Sequence, residues 1–208
     1  MWVAGHKHYR LGTNRIKPGI FASPGVFDPD VTAAIPIRIL AISGSLRQAS
    51  TNTALVEAAA QVAGGVARVT IYRGLALLPP FNPDLESSAV PGPVAAFRAA
   101  LDACDAVLIS SPEYAHGVPG VLKNALDWIV GSGELMGKPV AVVNASPHAT
   151  RAWASLSDTL TVMSARIIVG ASIVVPVEGA ARDAEAIAAD PELSSLLRFA
   201  IETLAGFV

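Results

Sequence analysis

The 208-residue chain has one cysteine, few charged residues and no cluster of basic residues. A single cysteine, Cys104, excludes a disulfide within the chain and is compatible with a reducing compartment. Charged residues make up only 15% of the sequence, and the formal net charge is −2. Because no Lys/Arg-rich segment is present, we expect no nucleic-acid partner.

Membrane-spanning and export signals are also missing from the sequence. The longest apolar stretch, 167–177, is interrupted by glycine, serine and proline and is shorter than the roughly 20 residues that cross a bilayer. Near the start, His6, Lys7, His8 and Arg10 stand where a signal peptide has its apolar core. We therefore predict no membrane association and a cytoplasmic location. Two histidines without further ligands also predict no metal site.

Hydrophobic residues make up 52% of the chain, which predicts a compact globular protein with one sizeable core. Residues 1–36 differ from the rest, because glycine and proline punctuate them and neither a helical nor a strand period is sustained. We interpret 1–36 as an N-terminal extension and 37–208 as the single folded domain.

From Ile37 onward, short apolar runs alternate with helical periods. The predicted strands are 37–42, 67–72, 106–110, 139–144 and 171–175. The predicted helices are 51–62, 94–103, 119–130, 152–165 and 192–204. This alternation predicts an α/β three-layer sandwich, in which helices cover both faces of a five-stranded parallel sheet. In the flavodoxin-like order 2-1-3-4-5, the loops after strands one, three and four meet at one crevice.

The sequence also predicts the surroundings of two side chains outside these loops, Cys104 and Trp128. Cys104 ends an apolar helix, so we expect it to be a buried small hydrophobic residue. In the helix 119–130, Leu122 and Ala125 lie on the inward stripe, whereas Trp128 falls off it. An indole on an otherwise polar face indicates a partner surface, the alternative being an ordinary exposed aromatic residue.

Hydroxyl groups crowd the loop between the first strand and the first helix, in the segment ISGSLRQASTN. The candidate ligand-binding residues between the strand end and the helix start are Ser43, Ser45, Arg47, Ser50, Asn52 and Thr53. A helix N-terminus favours a phosphate, and hydroxyl and guanidinium groups add hydrogen bonds to it. The loop lacks the second glycine and the lysine of a Walker loop, and Leu46 and Ala49 replace two glycines of the dinucleotide fingerprint. We predict a site for a terminal monophosphate, the alternative being a loop with a purely structural role.

Three segments, GSLRQASTN, LPPFNPDLE and SPEYAHGVPGVLKNALDW, together resemble the NADPH-dependent FMN reductase family. That family includes flavin-dependent quinone, chromate and azo-dye reductases, and the resemblance covers about residues 37–175. It implies a flavodoxin-like fold, noncovalently bound FMN and a homodimer or homotetramer. The implied reaction transfers hydride from NADPH or NADH to FMN and then to a small-molecule acceptor such as a quinone, flavin, chromate or azo compound. The flavin carries this chemistry, so no catalytic side chain is predicted.

The resemblance also implies roles for individual residues. The six polar residues of the first loop would bind the FMN phosphate. The residues that would run along the flavin ring are Pro112, Glu113, Tyr114 and Gly117. Asn82 and Asp84 match a loop that lies near the subunit interface and the mouth of the site in relatives.

The sequence departs from the family pattern in two loops. Ala115 and His116 stand where many relatives have asparagine and a small residue, and the segment from Ser146 to Arg151 replaces a glycine-rich turn. His116, Ser146 and His148 are therefore included among the predicted cofactor contacts. An imidazole or guanidinium there would stabilise the negative charge of a reduced flavin; the alternative is a solvent-exposed loop residue.

Two other functions remain open at the level of sequence. A flavodoxin-type electron carrier would bind FMN without oxidising NAD(P)H, but such carriers are usually strongly acidic, unlike a chain with a net charge of −2. A regulatory or scaffold domain would keep the fold without the flavin. The residues favour neither NADPH nor NADH.

Overall fold

A computed structural model of the chain describes residues 36–177 and 183–208. The predicted N-terminal extension, except for Pro36, lies outside the described residues. The strands are β1 (Ile37–Ser43), β2 (Ala67–Tyr72), β3 (Ala106–Ser110), β4 (Pro139–Val143) and β5 (Arg166–Ile167). The helices are α1 (Thr51–Val62), α2 (Pro83–Ser88), α3 (Gly92–Asp102), α4 (Gly120–Val130), α5 (Thr150–Val162), α6 (Ala184–Ala189) and α7 (Pro191–Ala205). None of these helices combines the length and the apolar character needed to cross a membrane.

The five strands form one parallel sheet in the order β2-β1-β3-β4-β5, which confirms the predicted flavodoxin-like topology. Every residue of β3 and β4 is buried, as expected for central strands covered on both faces. Because the strands are parallel, their carboxyl ends lie along the same edge of the sheet. The loops after β1, β3 and β4 therefore start side by side.

Two apolar clusters cover the two faces of the sheet. One contains Leu55 of α1 and Leu197 of α7, both fully buried. The other contains Phe97 of α3 and Ile129 of α4, each 1% exposed, together with residues of α5. Burying one such side chain contributes roughly 1.5–3 kcal/mol. This packing holds the three loops on a rigid base.

Side chains at the helix starts explain most of the helix boundaries. The Ser50 hydroxyl accepts the Thr53 N–H at the start of α1. Asn82 caps α2, and Asp190 caps α7, each just before a proline at the first helical position. The short helix α2 was missing from the sequence prediction, although the segment Asn-Pro-Asp contains this start signal. By contrast, Ala149 precedes α5 and supplies no side-chain cap.

The prediction of a fifth strand over 171–175 is wrong. The fifth strand is Arg166–Ile167, and 169–171 forms a 3₁₀ turn. Arg166 N–H donates to Lys138 O, and Ile168 N–H donates to Val140 O, which sets the register of this strand on β4. The second apolar run pairs with the chain just after β4 through an isolated parallel bridge between Asn144 and Val174. Two apolar runs compete for this sheet edge, and only long-range pairing selects between them.

The prediction that Trp128 marks a partner surface is also wrong. Its side chain is fully buried, its indole N–H donates to Pro79 O at 2.7 Å, and Phe81 packs edge-on at a centroid distance of 5.1 Å. The loop before α2 therefore covers this face of α4. The burial of Cys104 is confirmed, since it is 7% exposed and its Sγ donates to Leu101 O. Burial raises the pKa of its thiol.

Candidate functional site

Hydrogen bonds join the loops at the carboxyl edge of the sheet in pairs. Gly44 N–H, after β1, donates to Ser110 O at the end of β3 at 2.8 Å. The Ser110 hydroxyl donates to Asn52 Oδ1 at 2.9 Å, which ties the start of α1 to the same strand. Glu113, after β3, accepts backbone N–H groups from the start of α5. The expected convergence of the three loops is therefore present.

The β1–α1 loop is shaped by its own hydroxyl groups. Ser43, Ser45 and Ser50 are buried, with exposed fractions of 8%, 7% and 6%. Ser43 Oγ lies 2.9 Å from Thr53 Oγ1 and accepts the Ser45 N–H at 3.3 Å. The Ser45 hydroxyl in turn accepts the N–H of Arg47. These bonds hold several backbone N–H groups and hydroxyls around one small concavity.

The first turn of α1, which follows this loop, contains two backbone donors without a partner in the described part of the chain. Ser50 satisfies the Thr53 and Ala54 N–H groups, whereas those of Thr51 and Asn52 have no acceptor within the described residues. Unpaired N–H groups at a helix start carry partial positive charge and are suited to an anion. The loop therefore has both the donors and the polarity that a phosphate requires.

Gly44 is where the loop passes closest to its neighbours. A Cβ placed on Gly44 would lie 2.9 Å from Ser111 Oγ and 3.0 Å from Leu122 Cδ2. Both neighbours are buried. A side chain at this position would push the loop away from β3 and α4, so glycine is needed for close approach.

Arg47 borders two openings on either side of the loop. A cleft of about 430 Å³ on the β2 side is also lined by Glu57 and Arg73, which form an ion pair at 2.8 Å. A groove of about 450 Å³ on the opposite side is also lined by Leu46, Tyr114 and residues 119–121. The Arg47 side chain is exposed, so its guanidinium is accessible to a ligand in either opening.

The β3–α4 loop begins with a tight hairpin. Tyr114 and Gly117 exchange two backbone hydrogen bonds of 3.1 and 2.9 Å. Ala115 (φ 48°) and His116 (φ 61°) form the two-residue turn, and both are in the left-handed region. Asn-Gly is favoured in such turns, so this departure from the family pattern places strain on the backbone. The turn directs Tyr114 outward, where it is 47% exposed.

Glu113 connects this hairpin to α5. Its Oε2 accepts the N–H groups of Arg151 and Ala152, both at 2.9 Å, and its Oε1 lies 3.1 Å from His116 Nδ1. The carboxylate is 15% exposed. The backbone N–H of Ala152, followed by His116, lowers the pKa of Glu113, so the group is ionised near neutral pH.

The β4–α5 loop is held by a buried amide. Asn144 is 7% exposed, and its Nδ2 donates to Ala149 O at 3.2 Å. The Ser146 hydroxyl accepts the His148 N–H, while the His148 side chain is exposed. A groove of about 290 Å³ beside this loop is lined by Asn144, Pro147 and Trp153, among others. This loop therefore offers hydrogen-bonding groups without a glycine-rich turn.

The structure places the predicted cofactor-binding residues on three adjoining loops or at the strand and helix ends next to them. The residues on the three adjoining loops are Ser43, Ser45, Arg47, Ser50, Asn52, Thr53, Pro112, Glu113, Tyr114, His116, Gly117, Ser146 and His148. Asn82 caps α2, where Asp84 also lies; the place of these two residues near a subunit interface and the mouth of the site stays a prediction. The sequence analysis missed Ser110 and Asn144, which are buried at the ends of β3 and β4. A polar residue ending an apolar strand was the signal for both.

A five-stranded parallel sheet in this order, with an anion-suited turn after its first strand, defines a flavodoxin-like nucleotide-binding protein. The sequence profile of the NADPH-dependent FMN reductase family matches residues 37–180. The chain therefore belongs to the NADPH-dependent FMN reductase family, as the three sequence segments indicated.

Individual proteins show the same relationship. The chain is 32% identical over 174 residues to an NAD(P)H-dependent FMN reductase of Pseudomonas aeruginosa, covering 81% of this chain and 93% of that protein. It is 40% identical over 119 residues to an NADPH:quinone oxidoreductase of Arabidopsis thaliana, covering 55% of this chain and 61% of that protein. Among solved structures, it is similar to FerB, a flavoenzyme NAD(P)H:(acceptor) oxidoreductase from Paracoccus denitrificans. The TM-score is 0.68 at 28% identity, over 82% of this chain and 96% of that one.

Proposed function

We propose that this protein is an FMN-containing oxidoreductase that uses NADPH or NADH to reduce a small-molecule acceptor such as a quinone, flavin, chromate or azo compound. Membership of the family and the anion-suited β1–α1 loop together support this function. The single observation that carries it is the geometry of the β1–α1 loop. Two N–H groups at the start of α1 have no acceptor among the described residues, and Gly44 lets the loop approach β3 closely.

The described residues fit the phosphate of FMN. Ser43, Ser45, Arg47, Ser50 and Thr53 line one cleft. The N–H groups of Thr51 and Asn52, which have no acceptor within the described residues, belong to the helix turn between Ser50 and Thr53. A dianionic phosphate there replaces water as the acceptor of these donors, and charge-assisted hydrogen bonds of this type are about twice as strong as neutral ones. In this proposal Ser43, Ser45, Ser50, Asn52 and Thr53 act mainly by holding the donors in place.

The other two loops are suited to the flavin ring. The hairpin from Pro112 to Gly117 follows β3, and the segment containing Ser146 and His148 follows β4, next to it in the sheet. Tyr114 offers an exposed aromatic surface beside Arg47. We assign these two loops to the ring, with His116 and His148 at its exposed border.

Bound FMN supplies the hydride-accepting and electron-donating chemistry that joins NAD(P)H to the acceptor. The residues of the chain would bind this cofactor and orient it. The loop donors hold the phosphate, Asn144 fixes the β4–α5 loop through Ala149 O, and the hairpin presents Tyr114. The histidines at the border add positive charge when protonated and favour an anionic ring.

The visible spectrum of the purified protein tests the proposal. We expect flavin absorbance that bleaches on anaerobic addition of NADPH or NADH and returns with a quinone. Arg47→Ala should weaken FMN binding roughly tenfold, because one charge-assisted hydrogen bond is lost. Arg68→Ala, an exposed arginine of β2, is the matched control and should leave the affinity unchanged. A holoprotein that neither nicotinamide nucleotide bleaches would rule out the reductase.

The alternative is an FMN electron carrier of the flavodoxin type. It would bind FMN through the same three loops, so FMN affinity alone does not distinguish the two. Turnover of NADPH with a quinone, in the absence of a partner protein, does. The formal charge of −2 favours the reductase, because such carriers usually need a strongly acidic surface for docking.

The proposal also covers the oligomeric state and the cellular location of the protein. Leu46 and Tyr114 are 54% and 47% exposed beside the groove next to Arg47, and exposed apolar groups of this kind are often covered by a second subunit. We therefore assign a homodimer or homotetramer, which sedimentation of the purified protein checks. A cytoplasmic location is consistent with the single, buried Cys104.

A further inference from the structure

Helix α5 begins without a cap of its own. Ala149 stands at the N-cap position and has no side chain to accept the N–H groups of the first turn. In α1, α2, α6 and α7 the residue at that position supplies an oxygen. The first N–H groups of α5 are instead satisfied by Glu113, which is 38 residues away in the sequence.

We infer that Glu113 is a positioning residue that fixes the β3–α4 hairpin to the start of α5 and so sets the separation of the two ring-side loops. This inference rests on the proposed function, because those loops are assigned to the flavin ring there. The role is argued from three contacts of the Glu113 carboxylate, with Arg151, Ala152 and His116.

The hairpin needs an external hold because its turn is strained. Ala115 and His116 both occupy the left-handed region, which is unfavourable for side chains other than glycine. Glu113 directly precedes the Tyr114–Gly117 bridge and also contacts His116. One carboxylate thus contacts both the strained turn, through His116, and the start of the neighbouring helix α5.

The division of contacts between the two oxygens makes the role testable. Both N–H groups of α5 bind Oε2, whereas His116 Nδ1 binds Oε1. In Glu113→Gln the amide oxygen can take the place of Oε2, so the helix keeps its acceptor while the negative charge is lost. Glu113→Ala removes both the acceptor and the negative charge. A positioning role therefore predicts rescue by glutamine, whereas a role that depends on charge does not.

Hydrogen exchange of the purified full-length protein measures directly how strongly Glu113 protects the first amides of α5. In Glu113→Ala we expect the Arg151 and Ala152 amides to lose about tenfold in protection, the effect of removing one helix cap. Glu113→Gln should keep this protection within about threefold of the wild-type value. Asp190→Ala is the matched control, since Asp190 Oδ1 also accepts two N–H groups at a helix start, that of α7. It should lose protection at α7 and keep it at α5.

Titration with FMN then tests whether the hydrogen bonds of Glu113 to α5 affect the affinity for the cofactor. We expect Kd to rise about tenfold in Glu113→Ala, to stay near the wild-type value in Glu113→Gln, and to be unaffected in Asp190→Ala. Unchanged α5 protection in Glu113→Ala, or a glutamine variant as impaired as the alanine variant, would overturn the positioning role. If wild-type protein fails to bind FMN, the proposed function is wrong, while the exchange data still decide whether Glu113 holds α5.

Discussion

Replacing Gly44 with alanine tests the close approach on which the phosphate loop depends. The φ of Gly44 is outside the left-handed region, so alanine is excluded there by contact and not by backbone conformation. Its Cβ would meet Ser111 Oγ at 2.9 Å and Leu122 Cδ2 at 3.0 Å. Ser111 Oγ donates to Pro112 O, so rotating it away breaks a hydrogen bond.

These contacts give the size of the effect. Overpacking a buried site costs about 1–3 kcal/mol, and the reduced entropy of the unfolded chain offsets about 0.4–1 kcal/mol of it. We expect Gly44→Ala to lower the free energy of unfolding by roughly 1–2 kcal/mol and Tm by roughly 3–6 °C. The affinity for FMN should also fall, because Gly44 N–H bonds the loop to Ser110 O.

Urea denaturation followed by circular dichroism, together with titration of FMN, measures both effects. Gly92→Ala is the matched control, because a Cβ there meets open space at the start of α3 and should not destabilise the protein. Adding Ser111→Ala to Gly44→Ala removes the 2.9 Å contact and should restore part of the stability. If Gly44→Ala is as stable as Gly92→Ala and binds FMN like the wild type, the close approach at Gly44 contributes neither to stability nor to FMN binding.

Two further predictions concern pH and backbone strain. The side chain and backbone N–H of Arg38 lower the pKa of Asp105 to about 2 from its ordinary 3.8. The stabilisation from Asp105 is therefore present above about pH 4 and is lost as pH falls toward 2. Arg38 is half exposed, so Asp105→Asn should cost about 1 kcal/mol at pH 7 and much less at pH 2; a cost independent of pH in urea titrations contradicts this. Ala115→Asn should stabilise the protein by roughly 0.5–1 kcal/mol, because asparagine tolerates the left-handed region. Ala103→Asn, at an ordinary φ of −76°, should give no such gain in the same denaturation assay.

Two errors of the sequence analysis, the partner surface at Trp128 and the strand over 171–175, have a common cause. Helical periodicity placed Trp128 on a polar face, but its cover comes from Pro79, 49 residues earlier in the chain. Likewise, strand propensity favoured 171–175, whereas pairing with β4 selected Arg166–Ile167. Both outcomes depend on contacts between distant segments, which a local pattern does not contain.

The sequence by itself determined the α/β alternation, the ends of β2, α1 and β3, the place of the anion-suited loop and the family. These follow from periodicity, helix-start residues and short motifs, which act between chain neighbours. Only the tertiary structure decided that Gly44 is needed for contact with Ser111, and that Glu113 caps α5. Such features exist only once the sheet has brought three loops to one edge, since their partners are far apart in the chain.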